Sequence, residues 1–430
     1  LLVVGNIIGA GIFTTSGFLA SELPHPFFFI SIWIIGGLLT FCGALTYAEL
    51  AGMFPYSGGD YHFLKAAYGR WAGFLVGWVS FWIINPGSIA ALSLALVSYM
   101  TGFLQVDNTI GQKSLAIGII VLLSLINYRG IRWSGTTQNI FTAMSLCILA
   151  TLIAGGILSS KGSMHHFTAV SSEGMTWVKL FGPAMIAVIF TYSGWFASAY
   201  IGSEIKRPER TLPLSLLLGT ITVTILYTLV NMTYLYALPL SKMTDTINIA
   251  QQAAVTLFSP QFAQIVTFAI MFAIVSSINA TVLTGPRIYY AMAKDTVFWS
   301  PLKRLHPVYG TPHYSIVSQM CLACLFVIAG TFEQLLSYVV FVILLSSLAT
   351  GIAHLVLRWR RPEIARPYRT WGYPVTPLLF IYFYIFIAGQ IAWARPSTSI
   401  LGVLIMLSGL PFYMVWSKIN RPTRDTENHV

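Results

Sequence analysis

The chain has 430 residues, of which 56% are hydrophobic and only 9% charged, with a net charge of +11 and a mean hydropathy of +0.74. A soluble domain carries about 25% charged residues. The shortage here runs the whole length, which excludes a soluble domain with or without a single anchor and leaves an all-α polytopic membrane protein.

A membrane-crossing helix needs roughly 20 apolar residues, and twelve such spans can be placed. They run at about 1–21, 27–53, 73–104, 113–128, 135–157, 180–203, 212–237, 261–286, 313–329, 334–357, 374–394 and 397–417. Residue 1 already lies inside the first span, so a natural N-terminus upstream of it is expected. No basic region or small-residue cleavage site marks a secretory signal.

The first span, LLVVGNIIGAGIFTTSGFLA, places Gly5, Gly9 and Gly11 in one short apolar stretch. Glycine is about 1 kcal/mol poorer than alanine in a helix. Two explanations stand side by side. Gly5 and Gly9 have the small-xxx-small spacing that lets helices approach closely. Alternatively the helix breaks there, and its unpaired N–H and C=O groups face a cavity or a ligand. In that case the N–H groups of Ala10, Gly11 and Ile12, at the positive end of the second half, suit a carboxylate. Gly9 permits the turn, and the carbonyls near Ile7 and Ile8 suit an ammonium group.

After the second span, FPYSGGDYHFLKAAYGRWAG (54–73) reads as an amphipathic segment on the inner surface. The sixth span, AMIAVIFTYSGWFASAYIGSEIKRPE, carries Ser193-Gly194 at mid-depth. Carbonyls around Phe190 and Ser193 again suit an ammonium. Interrupted spans at corresponding places of two halves are a pointer to a transporter binding site. Spans 1 and 6 are five apart, so helices 1–5 (about 1–157) and 6–10 (about 180–357) read as two repeats, followed by helices 11–12 (about 374–417), in one integral domain. A ligand with a carboxylate and an ammonium on one carbon is an α-amino acid. With the second break, binding outweighs packing as the reason for the first.

Farther along, TDTINIAQQAAVTLF (244–258) is expected as a short external helix over the mouth, and IYYAMAKDTVFWSPLKRLHP (288–307) as a basic cytoplasmic loop. Cys321 and Cys324 form a C-x-x-C inside an apolar helix with no companion ligands, which reads as helix packing and not as a metal site. No Asp or Glu lies at mid-depth in spans 1, 3, 6, 8 or 10, and Glu204 falls at the cytoplasmic end of span 6. A cationic substrate head would lack a counter-ion there, so neutral substrates are expected. With both termini cytoplasmic, all Lys and Arg except Lys113, Lys161, Lys179, Lys242 and Arg395 fall on the inner side, as positive loops do. The basic charge is therefore a topology signal and calls for no nucleic acid. No HExxH pair, GxSxG elbow or pair of mid-membrane aspartates supports an enzyme, and no cofactor is expected; a non-transporting nutrient sensor stays as an alternative.

Several stretches carry a family resemblance. GNIIGAGIF resembles the first-helix signature of the amino acid–polyamine–organocation (APC) superfamily, and FTYSGW (190–195) its sixth-helix segment, most closely in the L-amino acid transporter branch. PYSGGDYHFLKAAYG (55–69), TGPRIYYAMAKD (284–295), LHPVYGTP (305–312) and RPYRTWGYPVTP (366–377) are similar to further family stretches, in the right order over nearly the whole chain. The resemblance implies a LeuT-type fold of two inverted five-helix repeats plus two helices, with discontinuous helices 1 and 6, and a secondary transporter, in the first place an exchanger of neutral L-amino acids. The alternatives are a proton- or sodium-coupled symporter and an antiporter of cationic amino acids or polyamines. By resemblance, Ala10 and Gly11 bind the substrate carboxylate, and carbonyls of Ile7, Phe190 and Ser193, beside Gly194, the amine. Phe190 is the aromatic gate, and Ile83, Ile84 and Ser88 line the side-chain pocket. Ser145 stands where sodium-independent relatives often carry a lysine, so the lysine-based coupling argument fails. Ser277 and Thr281 stand where sodium-coupled members place hydroxyl ligands, although membrane-helix hydroxyls more often bond back to their own backbone. The loop QVDNTIGQ (105–112) lacks the cysteine of heavy-chain-linked members. A bacterial-type inner-membrane protein, monomeric or homodimeric, is expected, without a disulfide-linked partner.

Overall fold

The computed structural model describes residues 1–9, 11–104, 108–168, 177–244, 246, 248–330 and 332–419. Among these the chain is helical, with no strand beyond a lone antiparallel bridge between Ser57 and Ile201. Nine helices in the described residues are long and apolar enough to cross a membrane, and Ala184–Tyr200 and His313–Ala329 are shorter apolar segments. Their outward faces are apolar: Leu125, Ile225 and Trp393 are 55%, 55% and 90% exposed. Such a surface requires lipid, because soluble proteins rarely expose contiguous apolar area on this scale.

The first span is broken. Helix α1 (Leu2–Ile7) ends where Ile8 takes φ −72° and ψ 85°, close to an inverse γ-turn, with the Gly9 N–H donating to the Ile7 carbonyl at 2.8 Å. Helix α2 (Gly11–Glu22) follows. Helix α3 (Pro26–Met53) starts with proline at a first-turn position, where its missing N–H costs nothing. The stretch after α3 contains a helix, α4 (Asp60–Tyr68).

The third span is α5 (Arg70–Val79), one wide π-helical turn (Ser80–Ile84) and α6 (Asn85–Leu104). Pro86 accounts for the wide turn, because it has no N–H to close the ordinary bond to residue 82. Helices α7 (Thr109–Tyr128) and α8 (Ile131–Leu158) follow. The Asn108 side chain caps α7 at Gly111 N, so α7 begins before the predicted 113.

The sixth span is also interrupted, in a different manner. Helix α9 (Trp177–Tyr192) ends at Ser193, Gly194 takes φ +91°, and the chain continues as 3-10 turns over Trp195–Tyr200 and Gly202–Glu204. A positive φ of this kind favours glycine. Helix α10 (Pro208–Ala237) precedes two short helices, α11 (Leu240–Met243) and α12 (Ile249–Leu257). Both pack against α2, and α12 is the short helix expected within 244–258. Helix α13 (Pro260–Lys294) runs past the predicted 286 and carries Pro286 inside it. Helices α14 (His313–Ala329), α15 (Phe332–Arg360), α16 (Val375–Ala394) and α17 (Pro396–Ile419) complete the chain. The broken helices sit at the centre: α1 packs on α8, α10 and α13, and α2 on α9.

Candidate functional site

Between the two breaks, α6 and α13 there is a cavity of about 50 Å³, counted as space open to the centre of a water molecule. The first break contributes Asn6, Ile7, Gly9 and Gly11, and the region after the π turn Ile84, Asn85 and Ser88. Phe190, Ser193 and Gly194 come from the second break, Tyr200 from the 3-10 segment, and Ser277 and Thr281 from α13. No Asp, Glu, Lys, Arg or His is among the described residues lining it.

Close backbone approach explains Gly11. A Cβ there would lie 2.6 Å from Thr191 Oγ1 and 2.8 Å from Thr191 Cα. The second contact is to backbone and cannot turn aside. Thr15 Oγ1 lies 2.8 Å from Thr191 Oγ1 and also donates to the Gly11 carbonyl at 2.7 Å, so α2 and α9 are joined where α2 begins. The first N–H groups of a helix have no intrahelical acceptor, and those of α2 open at this break.

Asn6 ties three elements together. Its Nδ2 donates to the Gly194 carbonyl at 3.0 Å. Its carbonyl accepts from Ser277 Oγ at 3.0 Å, and its Oδ1 from Thr281 Oγ1 at 3.4 Å. Tyr227 reaches in from α10, its hydroxyl 2.7 Å from the Ile7 carbonyl and 3.2 Å from that of Thr191. The Ile7 carbonyl thus meets both Tyr227 and Gly9 N–H, and the Phe190 carbonyl accepts from Ser193 N at 3.0 Å and Ser193 Oγ at 2.6 Å.

The sequence-predicted residues divide clearly. Ile7, Gly9, Gly11, Ile84, Ser88, Phe190, Ser193, Gly194, Ser277 and Thr281 line the cavity. The side chains of Ile8 and Ile12 are fully buried in the core, which leaves only their backbone for a ligand. Ile83 does not line it; the helix turns this residue into the aromatic cluster of Phe81 and Tyr289. Ser145 does not line it either, and its hydroxyl donates to the Phe141 carbonyl at 2.8 Å. The side chains that α8 brings closest to α1 at Gly5 are Thr142 and Gln138. Ala10 lies outside the described residues. Ser277 and Thr281 hydroxyls donate to protein oxygens, Asn6 O and Ser277 O. No group of three His, Cys, Asp or Glu that could hold a metal occurs among the described residues.

Of the cavity residues that the sequence reading missed, two carried a signal. Asn6 is the lone amide within GNIIGAGIF, and Asn85 stands before Pro86. Asn85 Nδ2 lies 3.0 Å from Tyr289 Oη and donates to the Ser80 carbonyl at 3.2 Å. Outside the cavity, Glu49 and Arg287 are both paired. Arg287 meets Glu204 at 3.1 Å, and the fully buried Glu49 meets Arg358 at 2.5 Å and Arg366 at 3.2 Å.

Comparison with known proteins adds an independent line. The amino acid permease family model matches residues 1–416. The serine/threonine exchanger SteT of Bacillus subtilis (strain 168) is 33% identical over 415 residues, covering 96% of this chain and 94% of that protein. The human b(0,+)-type amino acid transporter 1 is 30% identical over 425 residues, 96% of this chain and 86% of its own. The human large neutral amino acids transporter small subunit 2 is 28% identical over 431 residues, 96% and 78% respectively. Matched along nearly its whole length, and with broken helices around an uncharged central cavity, the chain belongs to the amino acid permease family of the APC superfamily and is an integral-membrane amino acid transporter.

Proposed function

We propose that the protein exchanges small neutral L-amino acids. The observation that carries this reading is the uncharged cavity at the N-terminus of α2. The N–H groups of Ala10 and Gly11 take the substrate carboxylate, at a helix end whose dipole contributes about 0.3–1 kcal/mol and up to ~2 when partly buried. The amine goes to carbonyls of the second break. The Phe190 carbonyl already holds the Ser193 hydroxyl, a rotor that swings aside for the ammonium, and the Ser193 carbonyl is the second acceptor. With the Ile7 carbonyl held by Tyr227 and Gly9, its share in binding is smaller than the resemblance implies. Phe190 closes the site from outside.

The cavity admits on the order of four water-sized groups, which favours short side chains. Ile84, Leu92 and Ile343 give it apolar walls, and Ser88 and Asn85 give it hydroxyl and amide partners. An arginine or polyamine head would be buried without a carboxylate, at a cost of several kcal/mol. The serine/threonine exchanger among the relatives supports the same substrate size. Substrate closes α1–α2 and the sixth span around itself, and release follows rocking to the other side. Ion-coupled symport is the alternative, resting on Ser277 and Thr281 beside the first break.

Around this site we read twelve crossing segments as two inverted five-helix repeats plus two helices, in one integral domain. The termini are cytoplasmic, the membrane is a bacterial inner membrane, and the protein works as monomer or homodimer without a disulfide-linked partner. A ligand panel tests the substrate class. Serine, threonine and alanine should raise the thermal unfolding temperature of the purified protein with saturating concentration dependence. Stabilisation by arginine or putrescine instead would contradict it.

A further inference from the structure

The stretch Ser57-Gly58-Gly59-Asp60 surrounds a single cavity-lining residue, Tyr200. Gly58 N–H donates to the Tyr200 carbonyl at 3.0 Å. Gly59, at φ +48°, lies against the Tyr200 ring so closely that a Cβ would overlap it. The Tyr200 hydroxyl donates to Asp60 Oδ2 at 2.7 Å. Ser57 pairs with Ile201 and exchanges hydrogen bonds with Ser203 at 2.9 and 3.3 Å.

The loop's other attachments all go to different helices. Thr350 of α15 donates to Asp60 Oδ1 at 3.0 Å, and Tyr68 donates to the Ala349 carbonyl at 3.0 Å. At the end of α13, Asp295 Oδ2 accepts from Tyr61 at 2.6 Å and pairs with Lys65 at 2.5 Å, and Arg70 donates to the Asp295 carbonyl at 3.0 Å. Helix α4 is therefore anchored to α13 and α15, and it holds the half of span 6 that must move through Tyr200 and its immediate neighbours. Tyr200 itself lines the cavity.

We propose that Asp60 is a positioning residue of the cytoplasmic gate: its carboxylate, accepting from Tyr200 and from Thr350, fastens the 3-10 half of span 6 to α15, while Tyr61 and Lys65 of the same helix hold Asp295 at the end of α13. Opening toward the cytoplasm then requires the Asp60–Tyr200 bond to part. The inference rests on the reading of this cavity as the transport site. It assigns Asp60 no contact with substrate.

The test is cysteine accessibility in membrane vesicles of both orientations. Ala197 lines the cavity, and Ala197→Cys in a background with Cys42, Cys147, Cys321 and Cys324 replaced by serine reports entry of a membrane-impermeant maleimide. Asp60→Ala and Tyr200→Phe should each speed labelling from the cytoplasmic face about tenfold or more, as loss of a hydrogen bond to a buried charge implies. The double variant should not exceed Asp60→Ala, because Tyr200→Phe removes a bond that Asp60→Ala has already removed. Thr350→Val should give a smaller increase, and Asp60→Asn, whose amide oxygen still accepts from Tyr200 while its NH2 turns to the Thr350 oxygen as a donor, should label more slowly than Asp60→Ala. Labelling unchanged in Tyr200→Phe and Thr350→Val, or raised equally from both faces, would overturn the proposal even if Asp60→Ala failed to fold. Labelling needs no substrate, so its outcome is separate from the substrate assignment. Failure of any amino acid to protect the introduced cysteine would instead count against the cavity as the transport site.

Discussion

At Gly11 there is no room for even one methyl group, since its Cβ would meet the backbone of Thr191. Gly11→Ala should therefore lower stability by about 1–3 kcal/mol, the usual range for overpacking, and abolish uptake; thermal unfolding in detergent and uptake in vesicles check both. Gly118, with nothing within 4 Å of its would-be Cβ, is the control, and Gly118→Ala should be neutral or stabilising by up to about 1 kcal/mol. Asp60 makes a second residue-scale prediction. Burial pushes its carboxyl above the usual carboxylate range, against the opposing hydroxyls of Tyr200, Tyr47 and Thr350. An acid whose folded pKa is raised costs stability above that pKa and ceases to do so as pH falls through it. Asp60→Asn, which resembles the neutral acid, should be at least as stable as the unmodified protein at pH 8, with the difference shrinking toward pH 4. Nearby groups cancel in that difference. His62 is pushed down by burial, so it counts against the fold on acidification in both proteins. Asp295 is also pushed up by burial, but Lys65 and Tyr61 outweigh this and hold it below 3.8; its contribution is present above that pH and lost only below it.

Among the elements, the wide turn before Pro86 has the clearest consequence for the cavity. It brings Ile84 and Asn85 to the cavity wall while Ile83 faces an aromatic cluster. Pro86→Ala restores an N–H and lets the helix close in the ordinary pattern. The expected result is an unchanged or higher unfolding temperature together with a several-fold higher KM for uptake. A KM that did not move would show that the turn does not set the pocket. Both breaks were legible in the sequence, because glycine in an apolar span is locally costly and the two interrupted spans stand five apart. The 3-10 form after Gly194 was not legible, since nothing in FASAY distinguishes it from an α-helix. Ile83 was misplaced because a one-residue change of register alters the face a helix presents. Asn6 and Asn85 were visible as amides in apolar spans. Tyr227 was not, because a partner 220 residues from Ile7 leaves no local trace.

Across the whole molecule, α1 is packed on α8 and α13, α2 on α9, and α12 on α2, so the first break is held by helices from both ends of the chain. In the proposed exchange, the return step would require a new ligand to close the breaks. No described residue lining the cavity carries a charge that needs an ion, and Ser145 supplies none on α8. The direct test is counterflow into proteoliposomes of the purified full chain, with labelled L-serine outside, unlabelled L-serine inside, and no sodium or pH gradient. Uptake many times that of empty vesicles, undiminished by arginine or putrescine outside, is the expected result. Equal uptake by empty vesicles, a strict requirement for an ion gradient, or displacement of serine by arginine would contradict exchange of neutral amino acids.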